Sequence, residues 1–185
     1  MFYTKKELIE LGLKSVGQNV LLSKKCSIYS PENISLGSNV RIDDFSIISA
    51  SGSISIGNYV HIGAHSILMG EAPIRVDDFC GISGRVSVYS TSDDYSGLFL
   101  TNPMVPKKFR GLESAAIHLQ AHAIIGAGSI VLPGANIGKG VAIGAMSLVR
   151  GEYRDFEVHA GNPTIYKGKR QKRFLKYEAF VRLGE

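Results

Sequence analysis

Two adjacent carboxylates, Asp93 and Asp94, lie in a stretch of polar and turn-forming residues. A carboxylate can accept a proton or hold a cation, and two in contact disfavour double ionisation, which raises the pKa of the less solvated one. The same pair is typical of an ordinary polar turn, because aspartate is common there. Which interpretation applies depends on the elements that position the two residues.

The five histidines are the other candidate bases. Their close pairs are His61 with His65 and His118 with His122, and a spacing of four residues implies a shared face only on a helix. The segments around these pairs lack a helical pattern, so we expect no metal site. A histidine at a corner between strands is more often a stacked, hydrogen-bonded residue than a base, but His65 and His122 stay open as candidates.

The elements around these residues repeat every six positions. A strand has a period of 2 and a helix a period of 3.6, so neither alone produces a period of six. A chain that coils on itself, with one inward side chain on each flat face, does produce it. The repeat predicts a parallel β-helix. Its clearest members are Leu119, Ile125, Val131, Ile137, Ile143 and Val149.

The same ladder runs through the N-terminal half from Val16 to Val88 in coils of twenty residues. It slips by two residues once per coil, first between Ile34 and Leu36, which predicts a bulged turn at one corner. The segment 90–116 has no hexads. A loop of that length inside a compact repeat is uncommon unless it is functional, and a tolerated surface insertion is the alternative.

The chain of 185 residues is long enough for one buried core and too short for two ordinary domains. We therefore predict a single domain over residues 1–185. Its predicted parts are an N-terminal helical cap at 1–14, coils at 15–89 and 117–154, a loop at 90–116, and a C-terminal turn and helix at 155–185, the helix over 169–183. The cap would cover the open strand edges of the first coil.

Composition narrows the functional class. No apolar run approaches the roughly 20 residues of a membrane span, and the N-terminus lacks the apolar core of a signal peptide, so we expect a cytoplasmic protein without a membrane span. The two cysteines suit a reducing compartment. The net charge of +5 is concentrated in residues 167–176, which predicts a solvated tail or a phosphate contact. No nucleic-acid module accompanies these charges, so we expect no nucleic-acid partner.

The ladder, the Ile-Gly-Ala runs at 125–127 and 143–145, and the closing Gly-Asn-Pro at 161–163 resemble the hexapeptide-repeat acyltransferases. The resemblance covers roughly residues 16–170. It implies an all-β, left-handed parallel β-helix, a homotrimer, and acyl-CoA bound in grooves between adjacent prisms. Handedness rests on the resemblance alone, because parallel crossovers elsewhere are almost always right-handed.

The loop is similar to narrower groups of this family. In galactoside and maltose O-acetyltransferases it carries a catalytic histidine, and counting forward from the coil 76–88 places Asp93 there. The segment 89–97 is similar instead to enzymes that N-acylate nucleotide-linked amino sugars, especially dTDP-4-amino-4,6-dideoxyglucose. In those enzymes an aspartate and a nearby serine serve the acceptor amine. The serine that matches is Ser83, ten residues before Asp93.

An aspartate in place of the histidine suits an amine acceptor. A sugar hydroxyl is a very weak acid and generally needs a histidine base, whereas a neutral amine is already nucleophilic and loses its proton after it has attacked. The predicted function is therefore acyl transfer, most simply of acetyl from acetyl-CoA or another short acyl-CoA, to the amino group of a nucleotide-linked deoxyamino sugar. Such products feed O-antigen or other surface polysaccharides.

The resemblance also implies roles for individual residues. Asp93 is the expected general base and Ser83 the residue that orients or relays. The expected acceptor-binding residues are Asp94, Tyr95, Glu71 and His65. The donor is expected along the small residues Gly126, Ala127 and Ala145, with its phosphates near Arg150, Lys167 and Arg170.

Two alternatives remain open. One is a sugar O-acetyltransferase that uses His65 or His122 as its base, and substitution of Asp93 or of a histidine discriminates it. The other is a non-catalytic or metal-binding hexapeptide scaffold, which would not bind CoA. The gamma-carbonic-anhydrase-like group holds zinc between subunits, but the histidines of this chain are not spaced convincingly for that arrangement.

Overall fold

A computed structural model describes residues 1–183 and shows a three-sided prism of stacked coils. Each coil adds one short strand to each of three parallel sheets, so neighbouring strands of a sheet come from successive coils. The parallel β-helix predicted from the six-residue period is confirmed.

The strands of the three sheets follow one another in strict rotation. The first sheet contains Ser15–Val16, Ile34–Leu36, Ile54–Ile56, Ile74–Val76, Ile117–Leu119, Asn136–Ile137 and Glu152–Tyr153. The second contains Val20–Leu22, Val40–Ile42, His61–Ile62, Gly81–Ile82, Ile124–Ile125, Ala142–Ile143, Glu157–Ala160 and the antiparallel strand Ile165–Lys169. The third contains Ser27–Tyr29, Ile47–Ala50, Ile67–Gly70, Ser87–Tyr89, Ile130–Val131 and Leu148–Val149.

The three corners of the prism give the site its frame. The first corner joins the first sheet to the second, the second corner joins the second sheet to the third, and the third corner leads back to the first sheet. At the first corner Tyr59, Phe79 and His122 all have a positive φ, of 56°, 60° and 65°. The left-handed conformation costs about 1–2 kcal/mol at a residue other than glycine, so the stacked neighbours must hold these residues in place.

The ladder side chains fill the interior of the prism. Ile62, Leu68, Val88 and Ile125 are each 0% exposed. Full burial of one such side chain stabilises the fold by about 1.5–3 kcal/mol, and the stack repeats this contribution in every coil. The interior is therefore one continuous apolar column.

The two-residue slip lies at the third corner of each early coil. Ile34 and Leu36 are both buried in one strand, but the same pair of inward positions occurs at Ala135 and Ile137, where the ladder does not slip. The strand register aligns Ile56 with Val76, Leu119 and Ile137, so the ladder advances eight residues from Ile48 to Ile56 and six from Val131 to Ile137. The two extra residues therefore lengthen the turn from the third sheet to the first, at the one corner where the sequence predicted them.

The segment 90–116 leaves the third corner and contains a β-hairpin. Its strands are Thr91–Asp93 and Leu112–Ser114, which pair antiparallel with Ser92 opposite Glu113 and Asp93 opposite Leu112. Between them the only helical element is a 3₁₀ turn at Lys107–Phe109. The hairpin holds Asp93 beside the prism.

One short helix lies near each end of the chain. The N-terminal helix is Lys5–Glu10. Thr4 and Glu7 form a capping box, in which each side chain accepts a hydrogen bond from the backbone amide of the other residue. The predicted C-terminal helix is shorter than expected: Ile165–Lys169 is a strand, a 3₁₀ turn follows at Arg173–Tyr177, and the helix is Glu178–Leu183. None of the helices within residues 1–183 has the length and apolar character that a membrane crossing requires.

Candidate active site

A cleft of about 410 Å³ lies beside the hairpin, and we call it the hairpin cleft. Its lining residues are Asp93, Asp94, Tyr95, Ser96, Phe99, Gly111, Leu112 and Glu113. Asp93 is partly exposed, and its carboxylate makes no hydrogen bond to any residue within 1–183. It is thus free to accept a proton from a bound molecule.

Asp94 has a different environment. Its carboxylate accepts hydrogen bonds from the Ser96 hydroxyl at 2.6 Å and from the amides of Ser96, Gly97 and Phe99 at 3.0, 3.0 and 3.1 Å. These bonds, the hydroxyl first among them, lower the pKa of Asp94 from 3.8 to about 2, which outweighs any repulsion from Asp93. The structure thus places Asp94 in the turn that shapes the loop.

We expect Asp94→Ala to loosen this turn, so that the amides of Ser96, Gly97 and Phe99 exchange hydrogen faster than in the wild type. Because the folded pKa is depressed, the wild-type protection is complete above the ordinary value of 3.8 and is lost as the pH falls towards about 2. Hydrogen exchange at neutral pH measures the effect, with the buried Leu119 as an internal control. Unchanged exchange at all three amides would contradict the assignment.

A second cleft of about 250 Å³ lies on the other side of the hairpin, and we call it the Arg150 cleft. Its lining residues are Ser92, Tyr95, Glu113, Leu132, Pro133 and Arg150. Arg150 Nη2 lies 3.7 Å from Glu113 Oε1, and both side chains are exposed, so this ion pair contributes little stability. Sequence reasoning missed Glu113, because only the register of the hairpin brings it beside Arg150.

Ser83 lies at the second corner. Its amide donates to the Ile125 carbonyl at 2.9 Å and its carbonyl accepts from the Ser66 hydroxyl at 3.1 Å, which fixes the backbone. The Ser83 hydroxyl itself bonds to nothing among residues 1–183. The strand Ser87–Tyr89 separates Ser83 from the hairpin, so Ser83 and Asp93 stand at opposite edges of one prism face and do not meet within one chain.

Small residues continue the second corner beyond Ser83. Gly126, Ala127 and Ala145, which we call the small-residue strip, lie in the next two coils, and the two alanines are exposed. A Cβ on Gly126 would come within 2.4 Å of the Ala145 amide nitrogen, so only glycine allows the coils to stack this closely. The strip leaves open backbone on which a slender ligand arm can lie.

The two other predicted phosphate contacts lie elsewhere. Arg170 Nη1 donates to the carbonyls of His122 at 2.8 Å and Gly140 at 3.1 Å, and its guanidinium lies over the Phe174 ring at 4.5 Å. Burial lowers the pKa of Arg170. These contacts hold Arg170 at the first corner. Lys167 is exposed on the C-terminal strand.

His122 is enclosed at the first corner. It is 8% exposed, its ring stacks on Phe79 at 5.0 Å, and Nε2 lies 2.8 Å from Glu178 Oε2 of the C-terminal helix. The same helix reaches two further residues of the corner, through Arg182 to Asp78 at 2.9 Å and through the Val181 carbonyl to the Tyr59 hydroxyl at 3.3 Å. His122 therefore packs the fold and lines neither cleft.

The two remaining predicted acceptor contacts are exposed corner residues. His65 stacks on Phe45 at 5.0 Å at the second corner, one coil before Ser83. Glu71 lies at the third corner, where its amide donates to the Thr91 hydroxyl at 2.7 Å and so ties the base of the hairpin to the prism. Within the described part of the chain no three His, Cys, Asp or Glu side chains are grouped as metal ligands.

No family model matches the chain. The dTDP-4-amino-4,6-dideoxy-D-glucose acyltransferase of Escherichia coli is 43% identical over 174 residues, which are 94% of this chain and 91% of that protein. AntD, an N-acyltransferase from Bacillus cereus solved with dTDP and 3-hydroxybutyryl-CoA, is 43% identical with a TM-score of 0.94, over 99% of this chain and 97% of its own. A maltose O-acetyltransferase from Clostridium difficile 630 shares the fold. It is 19% identical with a TM-score of 0.61, over 91% of this chain and 75% of its own.

The coiled prism with its projecting hairpin, together with these likenesses, defines a hexapeptide-repeat acyltransferase, and the left-handed β-helix expected from the resemblance is confirmed. Within that class, the chain belongs to the family of the dTDP-4-amino-4,6-dideoxy-D-glucose acyltransferase of Escherichia coli.

Proposed function

We propose that this protein transfers an acyl group from a CoA thioester to the amino group of a dTDP-linked deoxyamino sugar. The observation that carries the proposal is Asp93, an unpaired carboxylate that the hairpin holds in an open cleft. A carboxylate in this position can receive the proton that an attacking amine must lose.

The relatives support this assignment of Asp93 and Ser83. AntD was solved with dTDP-4-amino-4,6-dideoxyglucose and coenzyme A, and its variants replace a serine and an aspartate ten residues apart. Ser83 and Asp93 are of the same types and have the same separation. We therefore assign Asp93 as the base and Ser83 as the hydroxyl that orients or relays.

In the proposed reaction the acceptor amine, after losing one proton to water, attacks the thioester carbonyl. The C–N bond forms, the C–S bond breaks, and coenzyme A leaves as the thiolate. The nitrogen is cationic after attack, and Asp93 takes its proton, which then passes to the thiolate or to water. The Ser83 hydroxyl can donate to the oxyanion of the tetrahedral intermediate, where a fixed donor is most effective.

Two corners must cooperate for this reaction. Ser83 and the small-residue strip lie on the second corner, whereas Asp93 and Arg150 lie on the third. The strand Ser87–Tyr89 alone keeps these corners about 10 Å apart, at about 3.3 Å per residue. They form one site only if they come from different copies, which supports a homotrimer with the donor's pantetheine on the strip of one copy and its phosphates at Arg150 of the next.

The substrates also suggest where the protein acts. Acyl-CoA and nucleotide sugars are made in the cytoplasm, so we place the reaction there. An N-acylated dTDP-sugar is an activated glycosyl donor, which suits O-antigen or other surface polysaccharide synthesis. Acetyl is the simplest acyl group for the proposal, and the 3-hydroxybutyryl-CoA bound by AntD makes other short chains necessary comparisons.

Release of free CoA thiol across a panel of acceptors tests the proposal. The panel contains dTDP-4-amino-4,6-dideoxyglucose, its 3-amino and galacto relatives, GDP-perosamine, UDP-linked amino sugars and simple galactosides, each with acetyl-CoA and 3-hydroxybutyryl-CoA. We expect turnover on a dTDP-linked amine. Turnover on hydroxyl sugars alone would overturn the proposal in favour of O-acetylation.

A further inference from the structure

Glu113 is a third carboxylate at the site, and the reaction described above does not use it. The hairpin register places it opposite Ser92 and next to Leu112, the partner of Asp93. It lines both the hairpin cleft and the Arg150 cleft. Glu113 therefore shares the hairpin cleft with Asp93.

The carboxylates of the hairpin cleft differ in the hydrogen bonds and ion pairs that they already make within the protein. Asp94 accepts four hydrogen bonds from its own loop. Glu113 has one partner among residues 1–183, Arg150 at 3.7 Å, with both side chains more than half exposed. An exposed pair of this length contributes little stability, so a ligand can replace it at little cost. Asp93 and Glu113 are the two carboxylates available to a substrate.

We propose that Glu113 holds the ammonium form of the acceptor and so makes the site prefer an amine to a hydroxyl. The proposal rests on the proposed function and divides two tasks between two residues. An alkyl amine arrives mainly protonated at neutral pH, and Glu113 binds that cation. Asp93 stays available for the proton released after attack. In the empty site Arg150 is the ion-pair partner of Glu113.

The test compares binding of dTDP-4-amino-4,6-dideoxyglucose with binding of dTDP-6-deoxyglucose, in which a hydroxyl replaces the amine. Glu113→Gln keeps the shape and removes the charge. We expect its affinity for the amino sugar to fall by about ten- to a hundredfold, the range of a hydrogen bond between charged groups. The affinity for the hydroxy sugar should stay within about twofold. In turnover the loss should appear in KM rather than in kcat.

The pH dependence separates this role from a structural one. In the wild type the preference for the amino sugar should decline as the pH rises through the pKa of the substrate amine, because only the ammonium form is held. In Glu113→Gln the preference should be small and flat with pH. The matched control is Glu32→Gln, an exposed residue of the 3₁₀ turn Pro31–Asn33 in the first coil, which should behave as the wild type.

Two results would contradict the proposed role of Glu113. If Glu113→Gln lost affinity for both sugars equally, Glu113 would be assigned to folding of the hairpin. If affinity for the amino sugar were unchanged, Glu113 would have no role in binding it. Either result would overturn the proposal. If the wild type binds the amino sugar but transfers no acyl group to it, the proposed function fails, while the binding comparison still decides the role of Glu113.

Discussion

Asp93→Asn is expected to lower kcat for acyl transfer by about 10²–10⁴-fold, the usual contribution of a positioned general base. The amide has the shape of the carboxylate and can still contact the acceptor, but it cannot take the proton from the cationic nitrogen. KM for acyl-CoA should change little, because the small-residue strip, on which we propose that the donor binds, lies on another corner. Initial rates of CoA thiol release at saturating donor and acceptor measure the effect.

A control for Asp93→Asn is available at the first corner. Asp155 accepts a hydrogen bond from the Lys139 amide at 2.9 Å and lines neither cleft, so Asp155→Asn makes the same chemical change away from the site. It should keep the wild-type rate. Undiminished turnover by Asp93→Asn would instead mean that the base lies elsewhere, and exposed His65 would be the next residue to test.

Two inactive variants are expected to restore activity when they are combined. Ala127→Trp places a large ring on the small-residue strip and blocks the donor, while Asp93→Asn removes the base. In the proposed homotrimer, each working site takes the strip from one copy and the hairpin from the next, because the two lie at opposite edges of a prism face within one chain. In every trimer that contains both variants, about one site in three combines an intact strip with an intact Asp93.

The measurement uses the two variants co-expressed with different affinity tags and purified through both tags. Activity near a third of the wild-type value, against almost none for either parent, would support the shared site. Native mass spectrometry provides the count of copies and confirms that mixing occurred. Mixed oligomers no more active than their parents would show that each chain builds its site alone.

The prism could be predicted because each inward position has a single requirement. Residues such as Leu68 and Ile125 must be apolar to fill the interior, so the period of six appears in the sequence itself. The hairpin carries no such signal. Thr91–Asp93 and Leu112–Ser114 are short and show no apolar alternation, and their pairing joins residues far apart in the chain. Only the length of the interruption indicated that the segment is special.

The individual side chains of the site were harder to predict for a related reason. The adjacency of Asp93 and Asp94 suggested a coupled pair, but the partners of Asp94 are amides of a turn whose shape the sequence does not reveal. Arg170 lies in a basic run that indicated a phosphate contact. Its actual partners are corner carbonyls, because the chain folds back over the prism. Such contacts depend on tertiary proximity, not on residue type.

The C-terminal helix has a consequence for how the protein unfolds. In a solenoid each coil contacts only its neighbours, so stability is a sum of local contributions and the ends can fray independently. Here Arg182 contacts Asp78 across 104 residues, and Val181 contacts Tyr59 across 122. These long-range contacts connect an early coil to the end of the chain. We expect these contacts to couple the coils between them, so that the last turns of the prism open only after the helix detaches.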